Sequence, residues 1–361
     1  MNTRIESVDI LRGLTIVAMI VVNTPGSWGH VYTPLLHADW HGLTPTDLIF
    51  PFFLFVVGIS IYFAYKNKTE TKDIYQKIVI RSLKLIGLGV FLNLFIPYVP
   101  FFNNFESFRI PGVLQRIGIV FFFMTILYIN VNLKTLAGIG IVILLGYWLF
   151  LGFIPFQDGQ LPTFDRAPNN WGNYIDLNLL GNHMWQPDYD PEGVISTLPS
   201  IVTCISGLLI GRQLDTLKDV KLLFMSALGF LVLGYILNIW FPINKALWSS
   251  SFVLVTSGYA TLLLAVIYYL RDLKQIKFGS IFKYSGMNAI TIYFLSSFIS
   301  KTMYLTTVGY QSNLHSYIYE TVFVHSFYPA KLASLMYAVV VVLFYLGLGY
   351  VLYKNKIIIK V

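Results

Sequence analysis

Long runs of apolar residues alternate with short polar segments along most of this 361-residue chain. A helix that crosses the hydrocarbon core of a bilayer needs roughly 20 mostly apolar residues. Runs of this length are typical of helices, whereas membrane barrels show alternating segments of about ten residues. The pattern predicts an all-α, polytopic membrane helical bundle of about ten transmembrane helices, near residues 7–24, 46–65, 78–99, 112–131, 135–154, 193–211, 220–241, 246–270, 280–300 and 332–353.

Composition supports a membrane environment. Hydrophobic residues make up 56% of the chain and charged residues 12%, whereas an ordinary soluble domain carries about 25% charged residues. A soluble fold of this length could not bury so much apolar surface. The single cysteine, Cys204, excludes an internal disulfide framework and a cysteine-ligated metal site. Because no internal repeat or low-complexity tract is visible, we expect a single domain over residues 1–361.

The basic residues predict the orientation of the bundle. The net charge of +8 is spread over short loops and forms no basic stripe, so we expect no nucleic-acid partner. One set of span ends carries sixteen Lys and Arg residues, among them Arg4, Lys68 and Lys360; the opposite set carries Arg109, Arg166, Lys245, Lys301 and Lys331. The positive-inside rule then places both termini in the cytoplasm. The long polar segments 25–45, 155–192 and 302–331 fall on the outer side, where we expect a pocket for a polar molecule.

The polar segment that follows the first span is the richest in chemistry. It reads NTPGSWGHVYTPLLHADWHGLTPTDLIFPFFLFVVG and contains His30, His37, His41 and Asp47. A neutral imidazole can take a proton from an amine or hydroxyl nucleophile, or carry an acyl group itself. Asp47 lies where the second span begins, so it either orients an imidazole or caps the helix. The spacing of His37 and His41 is a weak metal signal in a Pro- and Gly-bounded loop, and we expect no metal.

Charged residues at the ends of two other spans are further candidates. Asp9 and Arg12 are three residues apart on one helix face, so they either pair or present Arg12 to an anionic ligand. Their position also makes a cleavable signal peptide unexpected. Arg109 and Arg116 flank IPGVLQ, and Gln115 and Arg116 fall about a turn inside the fourth span. A guanidinium at that depth needs a carboxylate, carbonyl dipoles or a phosphate.

Two further groups of polar residues stand at the heads of apolar runs. In YDPEGVISTLPSI, Asp190 and Glu192 are expected at the N-terminus of span six, where acids favour the helix dipole. They also suit the hydroxyls or amine of a sugar. Asn244 in NKALWS and Asn288 in SGMNAI each place an amide at a helix start, where capping is the ordinary role.

At these residues the chain resembles the heparan-α-glucosaminide N-acetyltransferase family, multispan enzymes that move acetyl from cytosolic acetyl-CoA to a terminal glucosamine across a membrane. The resemblance covers nearly the whole chain, in the family's order, through RIESVDILRGLTIVAMIVVN, HADWHGLTPTDLIFPFFLFVVGISI, RIPGVLQRIG, YDPEGVISTLPSI, INKALWS and SGMNAI. It implies that His37 is the catalytic histidine and that Asn23 contributes to the acetyl-transfer site. The spacer between them is longer here than in the lysosomal member and contains His30. That member's lumenal N-terminal domain and preceding span are not expected, and the shortened form resembles bacterial relatives of the inner (cytoplasmic) membrane.

We therefore expect an acetyl-CoA-dependent N-acetyltransferase that acts on an amino-sugar or glycan acceptor outside the membrane. His37 would act as general base or acetyl carrier, Asn23 would donate a hydrogen bond to the thioester carbonyl, and Asp47 would hold the ring. The residues expected to bind acetyl-CoA are Arg12, Gln115, Arg116, Asn244 and Asn288. Those expected to bind the acceptor are Asp190, Glu192, Trp40 and His41. The other expected partners are the lipid bilayer and a second copy of the chain, in a homodimer.

Two alternative functions share this topology. An amino-sugar transporter would use the same polar outer pocket. However, the inverted repeats of many transporters are not visible in this sequence, and the clustering of Asn23 with His37 favours an enzyme. An O-acetyltransferase of a cell-envelope polysaccharide would change only the acceptor.

Overall fold

A computed structural model describes residues 5–67, 71–309 and 312–359, and within them the chain is almost entirely helical. Arg4, Lys68 and Lys360, which contribute to the predicted charge bias, lie outside the described residues. The α-helices of the described residues are α1 (Glu6–Asn23), α2 (Ile49–Tyr65), α3 (Lys72–Leu94), α4 (Val113–Asn130), α5 (Leu133–Phe153), α6 (Trp171–Leu180), α7 (Thr197–Thr216), α8 (Val220–Leu237), α9 (Ser250–Tyr268), α10 (Ser280–Gly286), α11 (Ala289–Leu305), α12 (Leu314–Val322) and α13 (Ala330–Lys354). A short hairpin pairs Thr307–Val308 (β1) with Ser312–Asn313 (β2).

Seven helices in the described part of the chain are long and apolar enough to cross a membrane. They are α2 with the 3₁₀ turn before it, α4, α5, α7, α8, α9 with the π-turn after it, and α13. This confirms a polytopic helical membrane protein. The other three predicted spans correspond to α1, which contains Glu6, Asp9 and Arg12, to α3, which contains several lysines and an arginine, and to α11, which has 17 residues. The total of ten spans stays a prediction.

Two details of the predicted elements are wrong. The apolar run 280–300 is broken, because α10 ends at Gly286 and α11 begins at Ala289. At the break, Gly286 packs against the backbone of α1, while the Asn288 side chain donates to Ile357 O at 3.0 Å and accepts from Ile359 N at 2.9 Å. The run from 193 begins its helix only at Thr197, since residues 190–196 form a loop held by side chains.

The centre of the bundle is formed by α1, α2, α7 and α9, whereas α3, α5, α8 and α13 present much of their surface outward. α8 lies along α9. At the end of the bundle where α1 begins, which we call the basic end, Glu6 pairs with Arg271 and Lys283. Asp272 accepts hydrogen bonds from the first backbone amides of α1, Glu6 N and Ser7 N, at 3.0 Å each. We call the opposite end, which contains His37, the histidine end.

Glycines allow α2 and α7 to approach at backbone distance. A Cβ atom added to Gly207 would overlap the carbonyl oxygen of Phe55, and one added to Gly58 would overlap that of Cys204. Small residues at such contacts are typical of helix pairs in membranes, where van der Waals packing replaces the hydrophobic effect as the driving force. This contact positions the start of α2, and therefore Asp47, relative to the rest of the bundle.

Gly207→Ala is expected to destabilise the protein, because the added methyl group forces α7 away from α2. Overpacking of this kind costs about 1–3 kcal/mol. Thermal unfolding in detergent, followed by tryptophan fluorescence, should show a lower midpoint for this variant. Gly146→Ala on α5 is the matched control, since no heavy atom of the described residues lies within 4 Å of a Cβ atom added there. Equal midpoints for the two variants would contradict the assigned contact.

Candidate functional site

The start of α2 is fixed by a reciprocal cap between Thr44 and Asp47. Thr44 N donates to Asp47 Oδ2 at 3.0 Å and the Thr44 side chain accepts from Asp47 N, which closes a capping box around the 3₁₀ turn Pro45–Leu48. Thr44 Oγ1 also lies 3.0 Å from Asp47 Oδ2. Pro45 suits this place because the first helical residue needs no backbone donor. The Asp47 side chain is 1% exposed. The sequence therefore folds a buried carboxylate into the first turn of a membrane helix.

The same carboxylate also binds His37. Asp47 Oδ1 lies 2.6 Å from His37 Nδ1, and Asp47 Oδ2 accepts from Ala38 N at 3.1 Å. Orienting and capping were alternative roles for Asp47, and the structure shows both. A carboxylate accepts but does not donate, so this contact assigns the proton to Nδ1 and leaves a lone pair on Nε2. The His37 side chain is half exposed.

Sequence reasoning did not identify Lys245 as part of this site. Its Nζ lies 3.1 Å from both ring nitrogens of His37. Because Nδ1 donates to Asp47, Nε2 is the ring nitrogen that can accept from the ammonium. Burial lowers the pKa of Lys245, opposed by the carboxylates of Glu192 and Asp47. The sequence feature that could have identified Lys245 is its position: it is one of the few cations on the predicted outer side, and it follows Asn244.

Polar contacts to neighbouring loops hold the segment that contains His37 in place. Trp40 Nε1 donates to Phe164 O at 2.8 Å, and His41 Nε2 lies 3.0 Å from Asp165 Oδ1. His41 Nδ1 accepts from Asn244 Nδ2 at 3.3 Å. His37 and His41 thus bond to different groups and do not converge on a common point. Trp40 and His41 connect the predicted catalytic loop to segment 155–192.

Asn244 is completely buried at the histidine end, where its own turn uses its amide. Asn244 Oδ1 accepts from Leu247 N at 2.8 Å, and Asn244 N donates to Ser249 Oγ at 3.0 Å. This turn presents Lys245 to His37. Asn288 was also predicted to bind the cofactor; it uses both of its amide groups to hold the backbone of residues 357–359.

A cluster of arginines and carboxylates lies beside the histidine. Arg109 Nε donates to Asp190 Oδ2 at 2.8 Å, and Arg109 Nη2 bonds to Glu192. The prediction that Asp190 and Glu192 begin a helix and serve its dipole is wrong, because α7 begins five residues after Glu192. Burial acts to raise the pKa of Glu192, but Arg109 and Arg116 outweigh it and hold that pKa below its usual value. Glu192 therefore stays charged, and the contacts of the two carboxylates with Arg109 hold residues 190–196 in place.

Arg116 and Gln115 lie in the first turn of α4. Arg116 is 1% exposed, and its Nη2 donates to Gly193 O at 2.8 Å and to Ser196 Oγ. Its guanidinium faces the ring of Trp248 at 5.1 Å. Its Nε and Nη1 are buried without a hydrogen-bond partner. Gln115 Nε2 donates to Ile110 O at 3.1 Å. The predicted need of this arginine for carbonyl dipoles is met in part.

Asp176 on α6 is a second residue that sequence reasoning missed. Its carboxylate accepts from Val194 N at 2.8 Å and from Asp190 N at 3.2 Å. A Cβ atom at Gly193 would overlap this carboxylate, which explains the glycine after Glu192. Burial raises the pKa of Asp176 to about 6. The sequence contains no signal for this contact, because α6 lies in a segment that showed no clear helical pattern.

Asn23 is the last residue of α1, and its side chain is exposed at the histidine end. Among the described residues, no hydrogen bond joins Asn23 to His37, Asp47 or Lys245. The structure places it at the same end of the bundle as the His37–Asp47 pair, without direct contact.

The basic end contains a cavity of about 820 Å³ between α1, α2, α7 and the end of α9. Arg12 lies on its wall, where Arg12 Nη1 donates to Asp9 Oδ1 at 2.9 Å and Arg12 Nη2 to Ser60 Oγ at 2.7 Å. The predicted pairing of Asp9 with Arg12 is confirmed. Lys66 and Lys218 lie on the same wall. Cavities of about 300–1,000 Å³ are typical of small-molecule and cofactor sites.

Comparison with known proteins identifies a family that this chain is similar to. Residues 4–184 match the family model described as "Heparan-alpha-glucosaminide N-acetyltransferase, catalytic". The chain is 31% identical over 350 aligned positions to heparan-alpha-glucosaminide N-acetyltransferase of Mus musculus, covering 80% of this chain and 53% of the relative. It is also 31% identical over 355 positions to the protein of that name from Homo sapiens, covering 80% and 52%. The chain thus spans about half the length of the curated relatives it matches.

The raised pKa of Asp176 makes a prediction about stability. Between about pH 4 and pH 6 the folded protein holds more protons at Asp176 than the unfolded chain, so stability falls as pH rises through this window. In Asp176→Asn, the decrease in the free energy of unfolding across this window should be smaller by up to about 3 kcal/mol. The control is Asp188→Asn, since Arg166 lowers the pKa of Asp188 and its contribution has the opposite sign. Thermal midpoints measured from pH 4 to 7 test this; an unchanged slope in Asp176→Asn would refute the assignment.

Proposed function

This chain belongs to the heparan-alpha-glucosaminide N-acetyltransferase family, and from that premise we propose that it is a membrane N-acetyltransferase. It transfers acetyl from acetyl-CoA to the amine of a glucosamine-type sugar. The observation that carries the proposal is the His37–Asp47 pair, in which Asp47 binds Nδ1 and the imidazole is half exposed. The predicted topology places this pair on the outer side of a bacterial inner membrane and the 820 Å³ cavity on the cytosolic side.

Acetyl-CoA binds in the cavity at the basic end under this proposal. Arg12, Lys66 and Lys218 lie on its wall and can pair with the phosphates of the coenzyme. Eleven residues of α1 separate Arg12 from Asn23, a distance of about 17 Å at 1.5 Å per residue. The flexible arm of the coenzyme has to cover this distance to bring the thioester towards the histidine end. Gln115, Arg116 and Asn244 lie at that far end, so they would meet the arm or the acceptor rather than the phosphates.

His37 acts as general base on the acceptor. Its Nε2 takes a proton from the sugar amine as the nitrogen attacks the thioester carbonyl. The C–N bond forms and the C–S bond breaks, and the leaving thiolate of coenzyme A takes up a proton. Asp47 stabilises the imidazolium by accepting from Nδ1. A route in which Nε2 first carries the acetyl group uses the same nitrogen and the same partner.

Lys245 has to leave Nε2 before the acceptor amine can bind there. Its ammonium group stands 3.1 Å from Nε2, where the acceptor nitrogen would have to be. Lysine has a flexible stem and a mobile charge, so a displaced Lys245 stays within reach of the carbonyl oxygen. There it stabilises the developing oxyanion together with Asn23. Removal of one such donor costs roughly 2.7–4 kcal/mol in other acyl transfers.

The acceptor sugar binds between the His37 loop and segment 155–192. Trp40 packs edge-on against Tyr189 with ring centroids 5.0 Å apart, which gives this side of the site an aromatic wall. Asp190 and Glu192 are engaged by Arg109, so they position the loop and its charges rather than bind the sugar alone.

His37→Ala is expected to lower kcat by about 10²- to 10⁴-fold, because the general base is lost. The assay is acetylation of glucosamine by the purified protein in proteoliposomes with acetyl-CoA. His30→Ala is the matched control, a histidine of the same loop whose side chain is exposed. Full activity of His37→Ala would exclude the proposed role. Mass spectrometry of the product separates an amide from an ester, and uptake of labelled sugar without acetyl-CoA would indicate a transporter instead.

Arg12→Gln is expected to weaken binding of coenzyme A by about 10- to 100-fold, because a charge-assisted bond to a phosphate is lost. Calorimetric titration of the purified protein with coenzyme A measures this without turnover. Arg166→Gln is the matched control, since Arg166 is also paired with an aspartate but lies in segment 155–192 at the other end. Similar affinities for the two variants would show that the basic-end cavity is not the coenzyme site.

A further inference from the structure

A second large cavity opens on the side of the bundle between α3, α4 and α7. It has a volume of about 490 Å³, and we call it the lateral cleft. Its walls are largely aliphatic and aromatic, and are formed by Ile86 and Val90 of α3, Ile119 and Phe123 of α4, and Leu198 and Ile201 of α7. The lateral cleft is separate from the basic-end cavity, with which it shares no residue.

The lateral cleft faces the hydrocarbon region of the membrane. Phe123 is 49% exposed and Leu198 43% exposed, and both belong to helices that qualify as membrane spans. Phe123 lies ten residues into α4, about 15 Å along its axis. The hydrocarbon core is about 30 Å thick. The lateral cleft therefore runs from the histidine end to near the middle of the bilayer.

One end of the lateral cleft is polar. Gln115, Arg116, Glu192 and Thr197 line it there. Two nitrogens of Arg116, Nε and Nη1, are buried without a partner. A buried charged group that lacks partners is costly in a membrane protein and marks a functional position. An apolar channel that ends at an unsatisfied guanidinium matches a ligand with a hydrocarbon chain and a head group rich in acceptor oxygens.

This polar end lies close enough to the catalytic site to be coupled to it electrostatically. Glu192 lines the lateral cleft and also acts electrostatically on Lys245, which contacts His37. Arg116 faces Trp248, three residues after Lys245. A head group held at Arg116 would therefore lie next to the position that Lys245 has to vacate.

We propose that the lateral cleft binds the hydrocarbon chain of a lipid-linked amino sugar, which enters from the bilayer and presents its amine to His37. The inference rests on the proposed function and names its substrate class: an acceptor that is anchored in the membrane. The chain lies along α4 and α7, and the oxygens of the head group accept from Arg116.

A pair of synthetic acceptors tests the proposal in proteoliposomes. Dodecyl β-glucosaminide should be acetylated with a kcat/KM at least tenfold above that of methyl β-glucosaminide. Leu198→Trp, which narrows the lateral cleft, should lower this ratio at least fivefold. Leu149→Trp on the outward face of α5 is the matched control, because Leu149 is similarly exposed, at 50%, and lies outside the lateral cleft. Equal ratios in the two variants would mean that the chain only concentrates the substrate in the bilayer, and would overturn the proposal.

Photolabelling separates failure of this inference from failure of the proposed function. A dodecyl glucosaminide with a diazirine on its chain should label residues 112–124 and 194–201, and unlabelled dodecyl glucosaminide should compete. Dodecyltrimethylammonium, which has the same chain but a cationic head group without acceptor oxygens for Arg116, should not compete. If neither glucosaminide is acetylated but this labelling is found, the proposed reaction fails and the binding site stands. Equal labelling of all outward helices, or equal competition by dodecyltrimethylammonium, would refute the site.

Discussion

The carboxylate of Asp47 binds four groups at once, and the geometry of the histidine end depends on it. It accepts from the backbone amides of Ala38 and Thr44, from the Thr44 hydroxyl and from His37 Nδ1. The first three contacts fix where α2 begins, and the fourth fixes the ring and its tautomer. Because one carboxylate serves the site through Oδ1 and the fold through Oδ2, the position of the ring depends on where the helix starts. The close packing of Gly58 and Gly207 then holds α2 against α7, so the position of the ring relative to the whole bundle is determined by backbone contacts.

The second constraint is the cost of charge in a dry environment. Arg109 pairs with both Asp190 and Glu192, and Asp176 holds the loop that contains the two acids through backbone amides. In a low dielectric each such contact is stronger than in water, and each unpaired group is more costly. This explains why the polar residues form a connected network at one end of the bundle. It also singles out Arg116, whose pairing is incomplete, as the group with most to gain from a ligand.

The sequence predicts the class of the fold and part of the site. The features that it predicts differ from those that it misses in a physical respect. Apolar runs and loop cations depend on local composition, so seven spans and the Asp9–Arg12 pair follow from spacing alone. The sequence could predict Asp47 as a partner of His37, because Asp47 stands at a predicted helix start ten residues after the histidine. The sequence could not predict the roles of Lys245 and Asp176, since each contacts its partner through tertiary packing across the bundle. The break at Asn288 is of the same kind, because it depends on residues 357–359 near the far end of the chain. Asp190 and Glu192 were misassigned since helix-dipole reasoning ignores the distant Arg109.

The packed middle of the bundle limits how an acetyl group can cross. Ile16, Ile20, Phe50, Leu54 and Trp248 belong to one buried cluster between the two ends, and none of them is more than 5% exposed. A permanently open channel through this layer would pass protons and small solutes, whereas a packed layer does not. Under the proposed function, the coenzyme arm must therefore displace side chains as it enters, and the energy for this has to come from binding at the basic end. On the other side, the acceptor has to displace Lys245 from His37. Under this proposal, each substrate removes its own obstruction, so the site at Nε2 opens to the thioester from one side and to the amine from the other.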